Sequence, residues 1–368
     1  MNKNIFFFSL LVAAIFTSTA LSLPRFAVRL GDKCIDCHYN PTGGIIRNED
    51  GWNYGKNILS AISPREQEFS LSPKISDNIS FGLDYRTQFL FSSDTNRTRT
   101  DFQQMTGSIY TNVGLASNIN LIGRFDFINN IWEAYGVAHI FPNNSYIKVG
   151  SFLPNFGIRI DDHTAYTRGG DMFLLSSEGR KGLIYDPYYR EAGIEAGVYI
   201  SDWVFWTASA AANFRTNRTL TKDPTYTTRL ELNPKLGAVG LLFGGSYAAA
   251  KFPQQKAEFY GGFLGFGYNR FSLLGEFDIG EDLVQNETKS NFAMAEASYI
   301  ILLGLEALVR YDRFDPNTSV DNDELQHIIV GLEWFPYSFI EIRPQYRFMI
   351  EEPSIKNDAA VIQFHFWY

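Results

Sequence analysis

Cys34-Ile35-Asp36-Cys37-His38 is the run in this sequence whose residue types and spacing specify a chemistry. Two thiols separated by two residues reach both vinyl groups of a single haem. The histidine that follows then sits under the iron as its proximal axial ligand. Cys-x-x-Cys-His is the attachment signature of a c-type haem, and Cys34 and Cys37 are the only 2 cysteines of the chain. Other chemistries also use paired cysteines. A structural zinc site needs two further Cys or His ligands nearby, and the next histidine, His139, lies far downstream. A redox dithiol sits in a βαβ setting, which is missing here. A plain disulfide stays open for any pair exported to an oxidising compartment. The spacing favours one covalent haem c, held by Cys34 and Cys37, with His38 on its iron.

A distal ligand has few sources, because the chain has 5 histidines: His38, His139, His163, His327 and His365. On strand parity His139, with Glu133 and Tyr135, faces inward near a turn, and His365, with Gln363, does so on the last strand. His139 is the first candidate and His365 the second. A lone inward histidine is more often a polar wall residue than a ligand. No arrangement of residues suggests hydrolysis or group transfer, so a bound haem carries any chemistry.

The elements around the motif fall into four segments. Residues 1–22 read as a secretory signal peptide. Lys3 supplies the positive start, 5–16 the apolar run and Ala20-Leu21-Ser22 the small-residue cleavage site. Residues 23–63 form a polar segment rich in Gly, Asn and Asp, too short to build a core of its own. Within it, Asn40-Pro41-Thr42-Gly43-Gly44 predicts a turn, and 47–60 one short helix that offers Trp52 and Tyr54 to a porphyrin. So small a plug cannot enclose a haem, and the rest of the pocket has to come from elsewhere. Residues 64–78 read as a linker.

Residues 79–368 change texture. Apolar and polar residues alternate with period two in stretches broken by turn residues. One face of 79–91 carries Phe81, Leu83, Tyr85 and Phe89, and the other Gly82, Asp84, Arg86 and Gln88. In 338–350, Ile342, Tyr346 and Phe348 oppose Glu341, Arg343 and Arg347. Alternation alone does not say which face is inside. Connection lengths do: short turns such as Ser117-Asn118 and Asn269-Arg270 take turns with long polar loops. Aromatics cluster at strand ends (Trp132, Trp203, Trp206, Trp334, Phe335, Tyr337), as interfacial girdles require, and the final apolar strand ends on Tyr368. The reading is all-β: a transmembrane antiparallel barrel of about 16 strands with a small N-terminal haem-bearing plug. The split is weakest over 226–250, where Pro234 and several glycines blur it, so 14 to 18 strands stay open.

Composition agrees. Of 368 residues, 45% are hydrophobic and 16% aromatic, which excludes a disordered chain. No stretch after residue 22 gives the ~18 consecutive apolar residues of a spanning helix. The net charge of −8, with no basic cluster, excludes nucleic acid as a partner. The widest gap between strands, 152–190, holds Arg159, Asp161, Asp162, His163, Arg168, Asp171, Glu178, Arg180 and Lys181, and stands where a porin folds a constriction loop inward. Acidic loop residues such as Glu281-Asp282 and Asp323-Glu324 suit cations such as Fe²⁺, although a solvated surface is the commoner role of such runs.

A signal peptide, one Cys-x-x-Cys-His near the mature start and then a barrel is an order that resembles the fused monohaem cytochrome–porins of bacterial outer membranes. The best known members of that family oxidise extracellular Fe(II). Pro24, Phe26, Arg29 and Gly31 before Cys34, and Gly51 with Tyr54-Gly55-Lys56 after the motif, also look similar, while the turn 40–44 departs from the iron-oxidiser pattern. The resemblance covers the whole layout, with motif-level similarity confined to 24–57. It implies electron transfer across the outer membrane, between a periplasmic electron carrier and an extracellular donor or acceptor such as Fe(II). The plug would lie on the periplasmic side or inside the barrel, and the outer face against membrane lipid. The competing reading is a porin-like channel whose haem, or Cys34–Cys37 disulfide, is structural or gates the pore. Arg86, Arg124, Arg343 and Arg347 against Asp84, Asp126, Glu306 and Glu341 would then be its selectivity lining.

Overall fold

The structure is a computed structural model that describes residues 24–64, 71–93, 98–160, 162, 164–170, 183, 185–212, 224–251, 256–283, 287–351 and 357–368. The expected signal peptide lies outside the described residues, as do Asp161, His163, Asp171, Glu178, Arg180 and Lys181.

The period-two segments become sixteen long antiparallel strands. In chain order they are β1 (Ile79–Ser93), β2 (Thr98–Ala116), β3 (Ile119–Asp126), β4 (Ile131–Ala138), β5 (Tyr146–Phe152), β6 (Glu191–Ser201), β7 (Val204–Ala211) and β8 (Thr225–Leu232). There follow β9 (Val239–Lys251), β10 (Lys256–Tyr268), β11 (Phe271–Glu281), β12 (Lys289–Leu302), β13 (Leu305–Asp315), β14 (Leu325–Tyr337), β15 (Ile340–Glu351) and β16 (Ala359–Trp367). Each pairs with its sequence neighbours. β16 returns to β1, with Ala359 opposite Ser92 and Trp367 opposite Asp84, so the sheet closes and leaves no edge. Two short pieces, Lys74–Ser76 and Lys235–Leu236, extend the ladder beside the starts of β1 and β9.

The closed sheet is turned inside out relative to a soluble protein. On β1, Ser80, Asp84, Arg86 and Gln88 are buried while Phe81, Leu83 and Phe91 are exposed. On β15, Glu341, Arg343 and Arg347 are buried while Tyr346, Phe348 and Ile350 are exposed. Water penalises an apolar outer surface of this extent, whereas lipid accepts it. Trp132, Trp203, Trp206, Trp334 and Tyr337 are exposed at strand ends, where girdle aromatics sit. Phe335 does not join them. Neighbouring residues of a strand face opposite ways, and with Trp334 outside, Phe335 turns inward to 3% exposure, edge-on to Trp367.

The two rims differ. At one, short turns join the strands, and residues such as Asn143, Asn144, Asn269, Gly237 and Gly304 take the positive φ that tight hairpins demand. At the other rim lies the long segment between β5 and β6, whose described residues fold into the lumen. Its Leu153, Phe156, Tyr166, Leu183 and Tyr185 pack against Phe259, Phe292 and Phe314 of the wall.

From the short-turn rim the N-terminal segment enters the barrel as three short helices: α1 (Pro24–Leu30), α2 (Cys34–Cys37) and α3 (Glu49–Asn57). Backbone hydrogen bonds tie it to that rim, Ala61 N to Phe335 O at 2.9 Å and Ser338 N to Ile62 O at 3.0 Å. The plug meets the inward loop where Arg159 Nη1 donates to the Gly43 carbonyl at 3.0 Å.

Candidate functional site

The five residues of the motif form one helical turn and its exit. Lys33 N donates to Asp36 Oδ2 at 2.8 Å and His38 N to the Cys34 carbonyl at 3.0 Å, which closes the turn on both sides. His38 leaves it in an extended conformation and bridges to Arg47 on the returning chain. The return is made by Gly43 and Gly44, at φ +81° and +119°, a region that disfavours side chains. His38 is buried, and its Nδ1 donates to the Ile46 carbonyl at 3.2 Å. Because a carbonyl only accepts, this contact places a proton on Nδ1. Histidines that ligate a metal through Nε2 are commonly held by such an Nδ1 contact.

α3 is clamped onto this turn. Asn48 caps it by accepting from Gly51 N at 3.0 Å, while Asn48 Nδ2 donates to the Ile35 and Asp36 carbonyls at 3.2 and 3.1 Å. Gly51 permits the approach, since a Cβ there would stand 2.2 Å from the Cys37 carbonyl oxygen. Gly51→Ala is therefore expected to push α3 off the motif at a cost of about 1–3 kcal/mol. The expected outcome is faster proteolysis within 24–57 with the barrel's β-sheet circular dichroism unchanged; equal resistance would contradict the clamp.

Cys34 and Cys37 are not joined to each other. Desolvation pushes the Cys34 thiol up to about 12 and raises Cys37 as well. Both therefore stay protonated, unlike the low-pKa thiolate of a dithiol oxidoreductase. Cys34 borders the main cavity, with about 1830 Å³ of atom-free space counted out to its mouth. Its walls come from three sources: Cys34, Thr42–Arg47 and neighbours from the plug, Leu153–Ile160 from the inward loop, and Arg86, Arg124, Glu133 and Tyr135 from the strands. Beside it, Ile46 packs into a cluster with Tyr110, Tyr135, Tyr146, Phe152 and Phe205.

Charge holds the plug in the lumen. Arg25 pairs with Glu333 and lies 3.3 Å from Glu296 and 3.7 Å from Glu306. Arg29 pairs with Glu306 and donates to Ser298 Oγ at 2.5 Å and Ser272 Oγ at 3.2 Å. All these partners are buried, so α1 is bound to β11, β12, β13 and β14. Trp52 adds an apolar contact, its ring 5.2 Å from Phe339 and 5.7 Å from Tyr368.

The other candidates from the sequence lie apart from the motif. β4 ends at Ala138, so His139 sits in the following turn, where Nδ1 donates to the Asn144 carbonyl at 2.9 Å; it lines neither cavity. His365 is buried on β16 with Nδ1 2.8 Å from Glu341 and Nε2 3.0 Å from Asp84, on a smaller cavity beneath the plug. Both of its ring nitrogens face carboxylates. His327 is paired with Asp312 at 2.7 Å. Trp52 and Tyr54 pack on the barrel end and on Phe26, not on the main cavity. The acidic loop residues form no group of three or more metal-ligating side chains among the described residues. Arg25 and Glu296, by contrast, carry a structural role that no local pattern marks, because 271 residues separate them.

Neither protein-family models nor curated proteins give a sequence match to this chain. Solved structures do match its shape. OprB of Pseudomonas putida aligns over 85% of this chain and 99% of its own, at a TM-score of 0.63 and 9% identity. The channel DcaP of Acinetobacter baumannii covers 81% of this chain and 100% of its own, at 0.55 and 11%. OmpF of Salmonella typhi covers 79% and 98%, at 0.56 and 12%. The fold is that of a porin. At such identities the likeness extends to architecture and no further: a closed antiparallel barrel with a polar lumen. The sequence expectation of a porin-like barrel stands on that comparison and on the closed ladder itself.

Proposed function

We propose that this porin-like barrel lies in a bacterial outer membrane and carries one covalent haem c on a lumenal plug, passing electrons between a periplasmic carrier and an extracellular donor or acceptor such as Fe(II). The single observation that carries the reading is the Cys34–His38 turn itself, which sets Cys34 on the wall of the main cavity and buries Cys37 and His38 behind it, with the histidine oriented by the Ile46 carbonyl. The residues fit the group. Two unbonded thiols are spaced for both vinyls, the Nδ1 of His38 donates to a carbonyl, and Cys34 opens onto the main cavity.

When bound, the haem supplies one-electron exchange at its iron. The chain does the rest. Cys34 and Cys37 fix position, and His38 and the surrounding burial set the potential. Plug and inward loop together restrict the passage of solutes through the lumen. The hydrocarbon core of a bilayer is ~30 Å thick, so both electron partners have to approach the cavity closely. The short-turn rim, where the plug enters, is the periplasmic one in this reading. The lumenal arginines and carboxylates support a second reading, a channel whose plug gates conduction.

Spectra of the purified protein, produced with c-type maturation, test the proposal. The α band is expected to sharpen on adding Fe(II) alone. A haem reduced only by dithionite would remove Fe(II) as donor, and a protein without a Soret band would remove the haem.

A further inference from the structure

Seven arginines line the main cavity, and two of them stand apart. Arg86, Arg124, Arg168, Arg190 and Arg229 each have a carboxylate at 3.6 Å or closer. Arg47 and Arg159 make no ion pair with any described residue. The Nη1 of Arg47 is buried without a hydrogen-bond partner, and its guanidinium lies 5.5 Å from the centre of the Trp367 ring. Arg47 also borders both cavities, directly across the chain bridge from His38. Arg159 faces it from the inward loop and has only carbonyl acceptors, Gly43 at 3.0 Å and Thr42 at 3.4 Å. Gly44 makes room for it, since a Cβ at that position would be 3.0 Å from Arg159 Nη2.

A half-buried guanidinium without a close counter-charge gains from a carboxylate partner, and the other five arginines of this cavity each have one. Arg47 and Arg159 have none at ion-pair distance: Asp84 acts on Arg47 and Glu133 on Arg159 only from farther off, on two walls of the cavity that Cys34 borders. A haem brings two propionate carboxylates, which match arginine forks in geometry and charge. We propose that Arg47 and Arg159 receive the two propionates of the haem attached at Cys34 and Cys37. The proposal rests on the haem reading above. It makes the plug and the inward loop joint walls of one cofactor site: one propionate anchor comes from the segment bearing the motif, the other from a loop more than a hundred residues away.

The midpoint potential, measured by spectroelectrochemistry on the full-length holoprotein, tests it without reference to any donor. A cation at a propionate disfavours ferric haem, so Arg47→Gln and Arg159→Gln are each expected to lower the potential. The double variant is expected to lower it further, while Arg47→Lys and Arg159→Lys keep most of the parent value. Gln variants with the parent potential would overturn the assignment. So would Lys variants that fall as far as Gln, because the effect would then come from packing. A parent protein with no haem spectrum fails before any variant is compared, and that result removes the haem reading itself.

Discussion

Replacing Cys34 and Cys37 together by alanine is expected to abolish covalent haem completely, with no Soret band and no haem retained through denaturing electrophoresis. In the proposed reading both thioether bonds would form at these two sulfurs, and the chain has no other cysteine to substitute for them. The barrel is expected to keep its β-sheet circular dichroism, because the sixteen-strand ladder closes between β16 and β1 without any plug residue. That separates attachment from folding. Haem retained covalently in the double variant would refute the assignment of the motif.

The second large effect concerns the plug. Replacing Arg25 and Arg29 by alanine leaves Glu296, Glu306 and Glu333 buried without the cations that face them. Breaking a buried pair by removing one partner costs about 3–5 kcal/mol, which is a factor of about 10² to several thousand in the ratio of plugged to open barrels. Planar-bilayer conductance is therefore expected to be low for the parent protein and to rise at least tenfold on average for the double variant. Lysine at both positions keeps the charge but loses the bidentate geometry, and is expected to fall between. A parent protein as conductive as an open porin would contradict a filled lumen. An unchanged double variant would show that Trp52 and its aromatic contacts suffice to hold the plug.

The barrel was readable in the sequence because period-two alternation is a local signal, and strand parity sorted Asp84, Arg86, Glu341 and Arg343 to the lumen correctly. The stretch around 226–250 was hard to read for a reason that lies elsewhere in the chain. A Cβ on Gly240 would stand 1.9 Å from the Val28 carbonyl oxygen, and one on Gly267 would be 2.5 Å from the Arg29 Cα. Gly240, in that stretch, and Gly267, opposite it on β10, stand where α1 lies against their backbones, a contact no local window contains. Trp52 and Tyr54 were readable as aromatic residues of a short helix but not by their partners, which are Phe339, Tyr368 and Phe26. The motif was fully legible. Its surroundings were not, because Ile46, Arg47 and Arg159 gain meaning only when the loop after β5 folds back onto the plug.

The central claim is that one haem is covalently bound to a plug inside a porin-like barrel. The intact mass of the mature protein, produced with c-type maturation and denatured before measurement, tests it most directly. The account predicts a mass greater than that of the mature polypeptide by one haem, with the adduct on the peptide containing Cys34 and Cys37. A polypeptide of unmodified mass, or one lighter by the hydrogens lost to a Cys34–Cys37 disulfide, would contradict it and leave a plugged porin without a redox centre.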